Sequence, residues 1–505
     1  MAAFWFVVLL VAGFAATAAD STSKPTYVTS LPGLDGPLPS RLETGYVTVD
    51  EENGAELFYY FVESEGDPRR DPVLLWLTGG DRCSVLSGLV FEIGPVELVR
   101  EPYDGVSLPR LRRNPSSWTK VASILFVDSP VGAGFSFSRD PSGYDVGDIS
   151  ASLQLVKFLR KWFSEHEDYL ANPFYVGGGS YAGKLVPFIT QKISEGGRIP
   201  ASFVHQNSPH QNRTQSLMCR EPYHLIPVIT PTEIDLENIC SANCIEAGVR
   251  PTINLKGYTV GSPLTGDSSD FDSRVPYCHG VGIISDQLYK LFDEISAPHI
   301  LYSKCIAVSP GPSNARTTSG RKILKEEVGL LQNPPPRPAI ECVIKPNRDS
   351  TKLNMSNIKY QTNVDHPKWL TRSTQDTEVT QAETDTEYTH YLLYFWVNNN
   401  ATLETLGIKK GTVNEWVRCH QGDLPYDEDI ENSIKYHRNV VSQDYRALVY
   451  SGDHDAVVPF LSTQAWVRSL TDLVVDDWRA WHLDGQSAGF TITYGNNVTF
   501  TTVKF

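Results

Sequence analysis

Long uninterrupted apolar runs are missing from this 505-residue chain. Past the first twenty residues, no segment reaches the roughly 18 apolar residues that a membrane-crossing helix needs, so no membrane span is expected. Positive charge is also in deficit: 44 Lys and Arg face 59 Asp and Glu, for a formal net charge of −15. A nucleic-acid partner is therefore not expected. The acidic residues are spread along the chain and form no tail. Paired cysteines at metal-ligand spacing are absent too. Cys240 and Cys244 have no second pair, so no zinc site is expected, and the reading calls for no cofactor. Histidine runs out late in the chain, where only His482 follows Asp455.

The residues that are present point to the secretory pathway. Phe4 to Phe14 is apolar and uncharged, and small residues follow from Ala15 to Ala19. That pattern predicts a signal peptide over 1–19, with an extracellular or vacuolar destination. Eight cysteines, an even number, suit an oxidising compartment and allow 105 disulfide pairings. Among them the partners of Cys219, Cys240, Cys244 and Cys278 stay open. Asn212, Asn354, Asn400 and Asn497 each open an N-x-S/T sequon, so a glycoprotein is expected.

The chain is organised around Phe174-Tyr175-Val176-Gly177-Gly178-Gly179-Ser180-Tyr181-Ala182-Gly183. It reads as an apolar strand, a glycine-rich corner holding one serine, and a helix from about Tyr181 to Ser194. A serine at such a corner is the nucleophile elbow of an α/β-hydrolase, although the last glycine of G-x-S-x-G is here Ala182. Continuous apolar runs at Pro72–Thr78 and Val121–Val127 suit strands buried on both faces. Asp148 is placed to cap a helix that carries Ile149, Leu153, Val156, Leu159 and Phe163. This strand–helix alternation predicts an α/β fold with a mostly parallel central sheet flanked by helices. The first part of the core is expected over 20–261, with an insert at 198–251. A cap region over 262–443 follows, polar and poorly ordered at 344–389. The second part of the core, 444–505, holds the Tyr445–Tyr450 strand and the later strands at Trp478–Leu483 and Phe490–Tyr494.

A serine hydroxyl needs a base within hydrogen-bond reach and a carboxylate to orient that base. Ser180 supplies the nucleophile. The loop after Tyr450 offers Asp453 and Asp455. Asp455 is preferred because it lies deeper in the loop, but both also fit simple turn aspartates. His482 is the only later histidine, and its strand-like surroundings suit a structural role. The N–H groups of Gly80 and Tyr181 are placed to bind an oxyanion, while Gly79-Gly80 also fits a plain turn.

Together Leu31–Pro39, the Leu-Trp-Leu-Thr-Gly-Gly run, Asp128–Phe135, the elbow, Tyr450–Pro459 and Trp478–Phe490 resemble the plant serine carboxypeptidase-like family. The resemblance implies a secreted α/β-hydrolase that removes C-terminal amino acids or transfers acyl groups from glucose esters, so the partner is a small ester or peptide. It implies Ser180 as nucleophile, Asp455 as acid, Gly80 and Tyr181 as oxyanion donors, a Cys83–Cys419 disulfide and a second pair, Cys305 with Cys342. Thr78 stands where peptidase members carry Asn and looks like the acyltransferase branch. Gly179 stands where a carboxylate precedes the serine. The family's Gly-Gly-Pro-Gly-Cys-Ser is here Gly79-Gly80-Asp81-Arg82-Cys83-Ser84. The family also continues past Lys504 into a loop bearing the catalytic histidine, so the chain is expected to be truncated, with an incomplete triad and impaired catalysis. The alternative is a secreted binding protein that keeps the old pocket.

Overall fold

The apolar runs that read as doubly buried strands form the middle of one eleven-stranded sheet. The computed structural model describes residues 24–80, 82–196, 251–290, 379–420 and 424–504. Its strands are β1 Thr26–Val28, β2 Leu42–Asp50, β3 Ala55–Val62, β4 Val73–Leu77, β5 Val96–Leu98, β6 Leu111–Arg113, β7 Ser123–Val127 and β8 Val146–Gly147. They continue with β9 Phe174–Gly179, β10 Leu255–Gly261, β11 Tyr426–Asp427, β12 Arg446–Gly452, β13 Val474–Leu483, β14 Gln486–Tyr494 and β15 Val498–Val503. The sheet order is β1-β2-β3-β7-β4-β9-β10-β12-β15-β14-β13. From β7 to β15 the neighbours run parallel. Antiparallel pairs complete both flanks. Two small ribbons stand apart, β5 with β6 and β8 with β11.

Six helices matter for the site: α1 Asp148–Glu165, α2 Ala182–Ser194, α3 Arg274–Gly280, α4 Val379–Val397, α5 Ile434–Val441 and α6 Phe460–Arg468. Both faces of the central sheet are buried, which explains strands without polar alternation. On one face Leu57, Tyr59, Phe61, Leu75 and Leu125 meet Leu155, Phe158, Leu159 and Trp162 of α1 and Val186 and Ile189 of α2. On the other, Phe58, Tyr60, Leu74, Trp76 and Phe126 join Leu392, Leu393, Trp396 and Val397 of α4. Each such side chain contributes about 1.5–3 kcal/mol by leaving water.

Three sequence expectations change. Asp148 does not cap α1: its carboxylate turns inward, and Ser150 Oγ takes the Gly147 N–H at 2.8 Å. Of the face expected on α1, Val156, Leu159 and Phe163 pack in the core beside Leu155, Phe158 and Trp162, while Ile149 and Leu153 stay half-buried. Residues 379–389, expected to be poorly ordered, form the first half of α4. Composition hid the i, i+4 spacing that begins at Tyr388 and runs through Leu392 and Trp396. The signal peptide, the 198–250 stretch and residues 344–378 lie outside the described residues. No described helix is long and apolar enough to cross a membrane.

Candidate active site

β4, β7, β9, β10, β12 and β15 all end on the same edge of the sheet, and the direction in which strands are added across the sheet reverses between β4 and β9. Ligands in open α/β sheets bind at such a reversal, beyond the strand carboxyl ends. Ser180 stands there. Its φ is +54°, in the left-handed region that costs a side-chain-bearing residue roughly 1–2 kcal/mol. The corner is held from three sides. Ser180 N–H donates to the Gly261 carbonyl, and the Ser180 carbonyl accepts from Gly183 and Leu264, each at 2.9 Å. Gly178 lets the strand approach the helix, since a Cβ there would fall 2.6 Å from Ala182 Cβ. Ser180 itself is exposed.

The turn after β4 lies directly on the nucleophile. A Cβ on Gly79 would stand 2.7 Å from Ser180 Cβ and 3.2 Å from its Oγ. Gly80 follows with φ +87°. Among the described residues, neither the Gly80 N–H nor the Tyr181 N–H donates to a protein acceptor. Two unpaired N–H groups flanking an exposed serine can bind a developing oxyanion. Thr78 is half-buried and makes no side-chain hydrogen bond there. Gly179 has room around it, because a Cβ would meet only the Gly261 carbonyl, at 3.6 Å.

Behind this turn, Cys83 and Cys419 form a disulfide. Ser84 N–H donates to the Arg418 carbonyl at 2.7 Å, and His420 N–H to the Arg82 carbonyl at 3.1 Å. Arg82 is fully buried at φ +51°. Its guanidinium donates to the carbonyls of Val131, Tyr144 and Pro425. Buried Asp128 accepts from Ser84 Oγ (2.6 Å), Val85 N–H (2.9 Å) and Phe135 N–H (3.1 Å). Burial pushes its carboxyl up to about 6 against the pull of those bonds. Asp81, Cys305, Cys342, Asn212 and Asn354 lie outside the described residues. Cys278 is buried and carries no disulfide among the described residues. Asn400 and Asn497 are exposed, and Asn497 Nδ2 donates to the Asp444 carbonyl at 3.2 Å.

Asp455 lies in the loop beyond β12, two strands from β9. Its Oδ1 accepts from the N–H groups of Val457 (2.8 Å) and Val458 (2.9 Å), and its carboxylate makes no further hydrogen bond among the described residues. One carboxylate oxygen thus remains for a base. Asp453 instead pairs with His454 Nδ1 at 2.7 Å. From α3, Tyr277 OH and Arg274 Nε donate to the carbonyls of Asp453 and Val457 and fix the loop. His482 is not brought to this site. It is exposed on the edge strand β13, five strand positions from β9, or roughly 24 Å at about 4.8 Å per strand.

The sequence reading missed a second carboxyl group. Trp76 Nε1 donates to Glu92 Oε2 at 3.4 Å. Water reaches Glu92, yet the protein around it raises its pKa against hydrogen bonds from Trp76 and Ser87 and the charge of Arg418. Burial and Arg418 lower His390 to about 4. Tyr450, whose ring a Cβ on Gly261 would strike, feels the Glu92 charge. The signal was available: Glu92 is the lone charge within Leu89-Val90-Phe91-Glu92-Ile93. Among the described residues, no group of three or more His, Cys, Asp or Glu is placed to hold a metal ion.

A sequence profile described as serine carboxypeptidase matches residues 32–206 and 224–505. The chain belongs to the serine carboxypeptidase family. Serine carboxypeptidase-like 3 of Arabidopsis thaliana is 38% identical over 486 residues, covering 95% of this chain and 88% of that protein. Serine carboxypeptidase-like 13 from the same plant is 36% identical over 474 residues, covering 94% and 87%. The crystal structure of KEX1(DELTA)P, a prohormone-processing carboxypeptidase from Saccharomyces cerevisiae, superposes with a TM-score of 0.58 at 17% identity, covering 95% and 91%. That superposition shows the α/β-hydrolase fold. The serine carboxypeptidase match places the elbow, the β4 turn and the β12 loop within one family frame.

Proposed function

We propose that this chain is a secreted serine carboxypeptidase-like hydrolase or acyltransferase in which Ser180 attacks an ester or peptide carbonyl. The unpaired Gly80 and Tyr181 N–H groups beside an exposed, left-handed Ser180 carry this reading. Ser180 Oγ bonds to the carbonyl carbon while its proton passes to a base oriented by Asp455. The oxyanion settles on the two N–H groups. The leaving alcohol or amine takes that proton, and water or an acceptor hydroxyl then releases the acyl group. Thr78 stands where peptidase members carry Asn, which favours an acyl-glucose donor over a peptide, while Gly179 supplies neither branch's carboxylate. The 262–443 segment serves as the cap, and Asn400 and Asn497 as glycan sites.

β15 runs parallel to β12, and Asp453 N–H donates to the Val503 carbonyl at 3.0 Å, so the end of β15 lies beside the Asp455 loop. A second reading rests on the remote position of His482: residues 1–505 bind an ester or peptide in the pocket without turning it over. Turnover of an acyl glucose and a blocked dipeptide, each against Ser180→Ala, tests the proposal. Serine-dependent cleavage that favours the acyl glucose supports it. Equal or faster peptide cleavage refutes the branch assignment, and binding without cleavage supports the second reading.

A further inference from the structure

The Gly80 turn and Tyr181 are tied together from behind by side-chain hydrogen bonds. Tyr181 sends its phenol to Asp148 Oδ1 at 2.7 Å, and Tyr426 OH reaches the same oxygen at 2.8 Å. Asp148 Oδ2 accepts from Ile430 N–H at 3.1 Å and lies 3.5 Å from Lys184 Nζ, which also pairs with Glu428 at 3.2 Å. Residues 426–427 pair with 146–147, immediately before Asp148. On the other wall, Arg82 follows Gly80 in the same turn and grips the carbonyls of Val131, Tyr144 and Pro425. Its guanidinium carbon stands 5.7 Å over the Tyr426 ring. A planar fork that meets three carbonyls on separate segments fixes position in a way a single ammonium does not.

We propose that Arg82 is a positioning residue for the oxyanion hole, clamping the Gly80 turn to the 424–427 segment and through Tyr426 and Asp148 to Tyr181. The inference rests on the assignment of Gly80 and Tyr181 as oxyanion donors. Residue 82 sits at φ +51°, where glycine is at ease, so Arg82→Gly loses the clamp but relieves backbone strain and is expected to fold.

The test uses the full chain with a fluorophosphonate probe, comparing wild type, Arg82→Gly and Arg82→Lys. Labelling rate and melting temperature are recorded together with amide hydrogen exchange. Displacement of an oxyanion donor by about 1 Å can cost about a hundredfold in rate, and partial loosening should cost at least about tenfold. The clamp predicts slower labelling of Arg82→Gly at a temperature where the variant is still folded, even though losing the buried guanidinium lowers its melting temperature, with Arg82→Lys intermediate. It also predicts faster exchange confined to 79–84 and 424–427. Wild-type labelling rates in Arg82→Gly overturn the clamp and leave the nucleophile assignment intact. Failure of the wild type to label refutes a competent Ser180 instead, and exchange alone then decides: unchanged protection at 79–84 in Arg82→Gly overturns the clamp.

Discussion

Asp128→Asn should make stability respond differently to pH, and the size of the effect follows from the burial of Asp128. The carboxyl has no exposure, and burial raises it to about 6 despite hydrogen bonds from Ser84, Phe135, Val85 and Tyr60. An unfolded Asp titrates near 3.9. A raised folded pKa means the native state holds a proton that the unfolded state has released. The associated stability is therefore fully present below about 3.9 and is lost as pH rises through about 6. Two pKa units at 1.36 kcal/mol each give about 3 kcal/mol across that window. The asparagine is neutral throughout and loses this term. It also turns an NH2 toward donors that need an acceptor, at a pH-independent cost of about 1–3 kcal/mol. Other groups titrate between pH 4 and 7, so the informative quantity is the difference between wild type and variant from urea unfolding. The penalty of Asp128→Asn should grow by about 3 kcal/mol from pH 7 to pH 4. A penalty that is constant, or that shrinks in acid, would refute the reasoning.

Five further perturbations probe the elbow and its support. Ser180→Gly relieves a left-handed residue and should raise unfolding stability by about 1 kcal/mol while abolishing probe labelling; Ser180→Ala should abolish labelling without that gain. Gly178→Ala forces a Cβ to 2.6 Å from Ala182 Cβ and 2.7 Å from the Leu77 carbonyl, and should cost about 1–3 kcal/mol. Gly179→Ala, which meets only a carbonyl at 3.6 Å, should be nearly neutral by the same urea titration. Reduction of Cys83–Cys419 releases the support behind the Gly79–Gly80 turn and should cost about 2–4 kcal/mol, read as a lower melting temperature with dithiothreitol.

The strands were legible because burial on both faces leaves an unmistakable apolar run, as at Val73–Leu77 and Ser123–Val127. Ser180 was legible because its corner demands glycines around it. Asp148 was not, because a residue that opens a helix looks like a cap, and only tertiary contact shows that its carboxylate serves Tyr181 and Tyr426. Arg82 read as a departure from the family motif; its three carbonyl partners lie 49, 62 and 343 residues away, beyond any local pattern. Glu92 was less legible because a single charge within Leu89–Ile93 leaves no periodic pattern, and only tertiary contact brings Trp76 and Arg418 to it. His482 was legible as a structural histidine from its strand-like surroundings, and strand order sets it on the far edge.

Peptide mapping by mass spectrometry after fluorophosphonate treatment tests the central claim most directly. The account predicts one serine-linked adduct, on the peptide that contains Ser180, lost in Ser180→Ala. An adduct on another serine, or one that persists in Ser180→Ala, would contradict it.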